Sequence, residues 1–404
     1  MKQLKILYHH RTRGDGAEGI HIREMINAFT QLGCDVTLVC PSDSRRELGI
    51  SLGMTGVSGR EAKSAKGRFK VLLTQFLELA YNAVSFVRLI WSICSKRPDF
   101  VYERYSCYHF GGVLACRLLG VPLVLEVNST YAGRFRRRQL AFPRICKWIE
   151  DWVLRSGQLI CVVSDPLRQC VLDRGVPSEQ ILVTTNAINP EHLIKDPQVG
   201  KNVRKELGID QNSVVVGFVG SLRRWHGIEL LADAVPKIIS SCPACVFLIV
   251  GSGELEANLV ASLGHEIQQG KVKLTGGIAY SQVPSMIMAM DIGLMPDSNE
   301  WGSPMKILEY MLQGKVVVAP RLGPIEEIVD DGYSGILFQR GSADQFVDAI
   351  VRLVKDAELR AMLGRNSQDY VLTQRTWSTN ARLVLDFCSK LLKSDENLNE
   401  TRGS

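Results

Sequence analysis

The segment SVVVGFVGSLRRWHGIELL, Ser213 to Leu231, holds the fold in miniature. Its first half, 213–222, is a β-branched apolar run, which reads as a strand buried on both faces. A turn follows with Arg223, Arg224 and His226, and Gly227 opens an amphipathic helix over 227–241. A strand that feeds a helix through a short glycine turn is the start of a parallel βαβ unit. Ligands of such sheets bind beyond the carboxyl ends of the strands, so the turn is where chemistry is to be sought.

The same unit recurs along the chain. Upstream, LKILYHH (4–10), DVTLVC (35–40), FVYERY (100–105), PLVLEV (122–127) and LICVVS (159–164) read as strands, with a helix over 20–32. Downstream, VFLIVGSG (246–253), VKLTGG (272–277), IGLMP (292–296) and KVVVAP (315–320) continue the series, and 343–355 is helical. Between the two series lies INPEHLIKDPQVGKNVRKELGID, 188–210, polar and carrying two prolines. It reads as a hinge. The expectation is an α/β chain of two tandem domains, 1–190 and 191–376, facing each other across a cleft. A last helix, 377–393, has room to pack back on the first domain.

Composition agrees with two folded domains. At 404 residues the chain is too long for one ordinary core. Hydrophobic residues make up 46% and charged residues 22%, which excludes a disordered chain. A formal net charge of +6 permits an anionic partner without naming one. The eleven cysteines are scattered among apolar residues, as in a reducing compartment. Cys242 and Cys245 form a CxxC, but it precedes a strand, whereas the redox motif follows one, so both read as buried structural thiols. No metal cluster is expected: VDD at 329–331 reads as the start of a turn at Gly332.

MKQLKILYHH has too short an apolar run for a signal peptide. The segment 71–95 is greasy, but Gln75, Glu78, Asn82 and Arg88 interrupt it, so an amphipathic helix is the better reading than a span. A cytoplasmic protein is expected. GRFRRRQLAFPRICKWIEDWVLR, 133–155, interleaves arginines with Phe135, Phe142, Trp148 and Trp152. That pattern fits attachment to an anionic leaflet, at the inner face of the membrane, or an ordinary basic helix with packed tryptophans. Nucleic acid is not expected, because no recognition motif supports it.

Four loops follow strands. Gly14, Gly16 and Gly19 spell GxGxxG, with Asp43 24 residues beyond Gly19, but Arg11 to Arg13 separate the strand from the first glycine. The dinucleotide fingerprint turn follows its strand directly, so an anion-accepting loop or a surface turn is read here instead. Around 220, Gly220 permits close approach and the two arginines suit a diphosphate, or else form a solvated basic turn. His226 reads alone as a capping or surface histidine. In GSGELEANL, Gly251 to Leu259, Glu254 reads as a complement to the helix dipole. The fourth loop opens WGSPMKILEYM, 301–311, where Lys306 and Glu309 share one helix face beside its N-terminal amides. Amides over 302–305 can hold sugar hydroxyls or a phosphate, Lys306 can neutralise a diphosphate, and Glu309 can accept both ribose hydroxyls.

With LGCDVTLV, VYERY, GVPLVLEVN, GSLRRWHGIELL, VGSGELEANL, AMDIGLMP, WGSPMKILEYM and EEIVDDGYSGILF in this order, the chain resembles retaining, nucleotide-sugar-dependent glycosyltransferases of the glycogen-synthase and bacterial mannosyltransferase type. The resemblance implies the GT-B fold of two Rossmann-like domains. It implies transfer from a donor such as a UDP-sugar or GDP-mannose to a saccharide or lipid-linked saccharide, in bacterial polysaccharide or glycolipid assembly. Glu309 then holds the ribose, and Ser303, Pro304 and Met305 bind the donor sugar and phosphate. Gly16 and Gly19 sit in the loop over the diphosphate, with Gly220, His226 and Gly251 also on the donor. Asn128 takes the place of a histidine near the transferred sugar. Trp301 stands where the family often has a second glutamate, so either the adjacent Glu300 substitutes or the donor sugar is held differently. Ser221 and His226 replace an arginine and a lysine, so Arg223, Arg224 and Lys306 are the expected cations. No cofactor or metal is required on this reading. The rival readings are a noncatalytic nucleotide-sugar-binding protein and an NAD-dependent oxidoreductase.

Overall fold

The computed structural model describes residues 3–12, 16–40, 65–131 and 140–403. The chain divides into two compact units: Met1–Thr185 with Trp377–Ser404, and Asn186–Thr376.

The first unit carries a six-stranded parallel sheet of β1 (Lys5–His9), β2 (Asp35–Val39), β3 (Phe100–Arg104), β4 (Leu123–Val127), β5 (Leu159–Val162) and β6 (Ile181–Val183) in the order β2-β1-β3-β4-β5-β6. Every residue of β4 and β5 is buried, as expected of strands covered on both faces. The long helix Trp377–Gly403 belongs to this unit and packs on the helix Gly16–Gln31, where the His21 and Trp377 rings meet edge to face at 4.6 Å.

The second unit holds β7 (Val214–Val219), β8 (Cys245–Val250), β9 (Val272–Leu274), β10 (Ile292–Leu294), β11 (Val316–Pro320) and β12 (Gly335–Phe338) in the order β12-β11-β10-β7-β8-β9. The strand order reverses where β7 and β10 lie side by side, which makes their carboxyl ends the switch point of the sheet. One glycine sets the helix against the sheet there. A Cβ on Gly293 would lie 2.4 Å from the Tyr310 ring, so the helix Met305–Leu312 sits tight on β10 only because that side chain is missing. The Tyr310 hydroxyl accepts from the Val219 amide at 2.7 Å and donates to the Leu294 carbonyl at 3.4 Å, which ties the helix to the ends of β7 and β10.

Three expectations need correction. Residues 188–210 are not a bare hinge: Gln198–Glu206 is a helix of the second unit, with Gly200 closely packed on the Met288 carbonyl and Arg204 paired to Asp291 at 2.8 Å. The short strands β6 and β12 were not anticipated. The helix read as 71–95 runs over Ala65–Lys96. Asp43, Gly14 and 132–139 of the basic stretch lie outside the described residues. Cys242 and Cys245 are buried free thiols, the latter pushed up to about 12 by burial.

Candidate active site

The switch point of the second unit is built from three loops in backbone contact. Gly220 follows β7 with φ +143, a conformation that L side chains rarely adopt. Gly251, after β8, would place a Cβ 2.0 Å from the Gly220 carbonyl, and Gly227 one 2.8 Å from the Asp297 amide of the β10 loop. Glycine at each position is what allows the three loops to close on one another.

Lys306 enters this space from the first turn of Met305–Leu312. Its Nζ is buried, has no hydrogen-bond partner among the described residues and lies 4.4 Å from the centre of the Phe218 ring. A Cβ on Gly220 would come within 2.6 Å of that Nζ, so Gly220 keeps the space in front of the ammonium open. Burial lowers Lys306 to about 7, against the attraction of Glu309. Glu309, one turn on, is raised above its ordinary value by burial, although Tyr280 donates to its Oε1 at 2.7 Å and Lys306 pulls the other way. Burial disfavours the charged form of both groups, and among the described residues no hydrogen bond or ion pair satisfies the Lys306 Nζ. His226 is lowered to about 4 by burial and by Lys306, and its Nδ1 donates to the Ser221 carbonyl at 2.7 Å. It is a neutral ring at the edge of the site.

The loop between β10 and this helix is fixed from several sides. Asn299 Oδ1 accepts from the Trp301 amide at 3.1 Å and the Gly302 amide at 2.5 Å. The expected donor set over 302–305 therefore loses Gly302. Ser303 is buried, its Oγ and carbonyl held by the Asn186 amide and side chain at 3.1 and 2.6 Å. Pro304 caps the helix without a side-chain hydrogen bond, which leaves the first-turn amides from Met305 onward to be met by another group. Glu300 pairs with Arg340 at 3.3 Å, and Arg340 also grips Asp297 through two hydrogen bonds of 2.8 and 3.2 Å. Glu300 thus anchors the loop. Of the two arginines after β7, Arg224 is exposed and pairs with Glu229 at 3.2 Å, away from Lys306's pocket. Arg223 is exposed too, stacked 4.8 Å over Trp225, yet near enough to lower His226.

In the first unit Asn128 donates to Glu126 Oε1 at 2.5 Å. Burial alone would raise Glu126, but His21 and Arg104 outweigh it and hold the carboxyl well below its ordinary range. The amide is therefore oriented by a buried carboxylate. Gly16 opens the helix Gly16–Gln31 and Gly19 is buried within it. At the β1/β3 switch point lies the one group among the described residues with metal-capable side chains, His9, Glu103 and His109. His9 Nδ1 is 2.6 Å from Glu103 Oε2. Two ligands of one tetrahedral zinc sit roughly 3.3 Å apart at bond lengths near 2.0–2.2 Å, so this is a hydrogen-bonded pair rather than a ligand pair.

The comparisons with known proteins decide the family. Residues 213–356 match the family model Glycosyl transferases group 1, and residues 18–192 match Glycosyltransferase Family 4. The chain belongs to the group 1 glycosyltransferases. It is 26% identical over 302 residues to the UDP-Gal:alpha-D-GlcNAc-diphosphoundecaprenol alpha-1,3-galactosyltransferase of Escherichia coli, covering 74% of this chain and 77% of that one. It is 24% identical to the alpha-maltose-1-phosphate synthase of Mycolicibacterium smegmatis, over 93% and 96% of the two chains. Among solved structures, Anabaena Alr3699/HepE in complex with UDP superposes with a TM-score of 0.70 at 18% identity, over 96% of this chain and all of that one. Sucrose-phosphate synthase from Thermosynechococcus elongatus gives 0.67 at 16%, over 97% and 100%. The fold is GT-B.

Several residues that shape this glycosyltransferase's site escaped the sequence reading. Phe218, Tyr280, Asn299 and Arg340 come from four other places in the chain. The available signal was position alone: Phe218 and Arg340 flank the carboxyl ends of strands, where an aromatic or a cation has a ligand or a loop to hold.

Proposed function

We propose that this glycosyltransferase moves a sugar from a nucleoside diphosphate sugar to a saccharide or lipid-linked saccharide acceptor. The observation that carries the donor is the unpartnered Lys306 Nζ, one turn from Glu309 and facing the space that Gly220 leaves open. A departing diphosphate needs fixed positive charge in a closed site, and a preorganised ammonium costs no reorganisation when the charge develops. Lys306 supplies that charge, with Arg223 at the rim and the first-turn amides of Met305–Leu312 beside it. Glu309 holds the ribose through its carboxylate, already set by Tyr280.

On this reading no metal is needed, because the protein's own cations take its place, and turnover persists in a chelator. Retention of configuration at the transferred carbon is proposed from the resemblance: the leaving phosphate takes the acceptor proton as the acceptor attacks from the same face. Asn128, held by Glu126, takes part on the acceptor side. The E. coli relative's printed lipid-linked substrate supports a diphosphate-lipid acceptor here, with the enzyme working at the cytoplasmic face of a membrane in polysaccharide or glycolipid assembly.

The test is calorimetry with UDP-sugars and GDP-mannose, followed by product analysis with a lipid-linked and a free saccharide. Saturable binding of a nucleotide sugar with transfer is expected. Binding without any transfer or hydrolysis would favour a noncatalytic sugar-nucleotide binder instead.

A further inference from the structure

The helix Ala65–Lys96 is amphipathic in the inverted sense. Its inward row is buried and largely polar, with Gln75, Glu78, Asn82, Ser85 and Ser92 beside the apolar Leu89 and Ile93. Its outward row is apolar and exposed: Phe69 (67%), Leu72, Leu73, Phe76 (62%), Val84, Val87 (64%) and Trp91 (72%). The outward spacing of three and four residues is that of one helix face. A helix of a water-soluble domain places these two rows the other way round.

The inward row is satisfied by its own unit. Gln75 Oε1 accepts from the Tyr108 hydroxyl at 2.7 Å and the Ala141 amide at 2.9 Å. Asn82 donates to the Tyr108 carbonyl at 2.8 Å and accepts from the Phe110 and Gly111 amides, capping the next helix. Ser85 meets His9 at 3.3 Å. These bonds fix which face looks outward. They also explain why a helix long and apolar enough to cross a bilayer lies against the unit instead: its polar row would be stripped of partners in a span.

We propose that the outward face of Ala65–Lys96 docks on an anionic phospholipid leaflet. From Phe69 to Trp91 the apolar row extends about 33 Å at 1.5 Å per residue, a line suited to a flat surface. The helix Gly111–Leu119, packed against it, adds exposed Leu118, and the helix Pro143–Leu154 carries exposed Trp148. Charge selects the occupant. Lys96 and Arg97 at the end of the apolar row, Arg117 on the packed helix, and Arg144 and Lys147 on the helix of Trp148 are exposed, whereas Glu78 and Glu150 are buried and Asp151 is paired with Lys147 and Arg174. A second copy docked about a two-fold axis would set these cations against their own kind, while anionic headgroups complement them. The choice of a lipid surface rests on the lipid-linked acceptor reading, which it deepens: the inward row of the same helix touches His9 at the β1/β3 switch point, one helix diameter from the leaflet.

The test is flotation of the full chain with vesicles of phosphatidylcholine, alone or with phosphatidylglycerol, for wild type, Phe76→Glu/Trp91→Glu and Lys96→Glu/Arg144→Glu. Wild type should float with the anionic vesicles, and each double variant should lose at least about tenfold in vesicle affinity, with melting temperature and nucleotide-sugar affinity unchanged. Flotation without transfer to a lipid-linked acceptor would uphold docking and overturn the acceptor reading. The proposal is overturned if wild type binds no vesicles, if the variants float as well as wild type, or if light scattering shows a dimer that the apolar variant dissociates.

Discussion

Lys306 Nζ lies 4.4 Å from the centre of the Phe218 ring and meets no hydrogen-bond acceptor. A buried ammonium without a hydrogen-bond acceptor, helped only by a ring face and by the attraction of Glu309, is unfavourable in the free protein. The cost is tolerated where a ligand restores what burial took away, and a diphosphate does so. The first prediction has two opposite signs. Lys306→Met keeps the stem and removes the charge, so it should raise the melting temperature of the ligand-free protein. It should also lower turnover by about 10²–10³, the loss expected of a preorganised charge-stabilising group. A variant that is both less stable and fully active would contradict the assignment.

The pH dependence follows from the same residue. Lys306 is depressed to about 7 in the folded protein from an ordinary 10.5. Between those values the unfolded chain binds more protons than the folded one, so ligand-free stability should rise with pH over this window. The penalty is fully present below pH 7 and absent above the ordinary value. A bound diphosphate favours the ammonium, so donor binding near pH 8 should take up a proton. Calorimetry in buffers of different ionisation enthalpy measures that uptake, and it should vanish in Lys306→Met.

Glu309→Ala removes a charged acceptor from two ribose hydroxyls, each bond worth about 1.5–3 kcal/mol. Nucleotide-sugar affinity should fall by about two decades or more. Tyr280→Phe should cost less, since it only loosens the carboxylate that it orients. Equal losses in the two variants would show that Tyr280 touches the ligand itself.

The two arginines after β7 should part company. Arg224 spends its charge on Glu229 at the surface, an exposed pair worth about 0–1 kcal/mol, and Arg224→Ala should leave turnover nearly intact. Arg223→Ala should lower turnover at saturating donor, with folding unaffected. Steady-state kinetics of the two single variants and the double variant separate them.

Gly220→Ala tests the space in front of Lys306. A Cβ there would lie 2.6 Å from Nζ on a backbone at φ +143. Donor binding should fall further than thermal stability, because the lysine tip can swing away whereas the ligand cannot pass.

The central strands were legible because parallel strands covered on both faces are nearly continuous apolar runs. The edge strands β6 and β12 were not, being three and four residues long and only partly buried. The helix Gln198–Glu206 was read as hinge because its burial rests on Gly200 and Val203 alone, too few to show a period. Lys306 and Glu309 could be placed on one face because both lie on one helix after one turn. Arg340 and Phe218 reach that neighbourhood only through the sheet's strand order, which no local pattern states, whereas Asn299 lies in the same loop as Trp301 and Gly302. The inverted helix was read as amphipathic correctly, but polarity alone does not say which face is inward; the hydrogen bonds of Gln75 and Asn82 do.

Titration of UDP-sugars, GDP-mannose and NADH into wild type and Glu309→Ala by calorimetry tests the central claim most directly. A nucleoside diphosphate sugar should bind wild type saturably and bind Glu309→Ala at least tenfold more weakly, with no heat from NADH. Binding of NADH, or a nucleotide sugar held equally by a folded Glu309→Ala, would contradict the account.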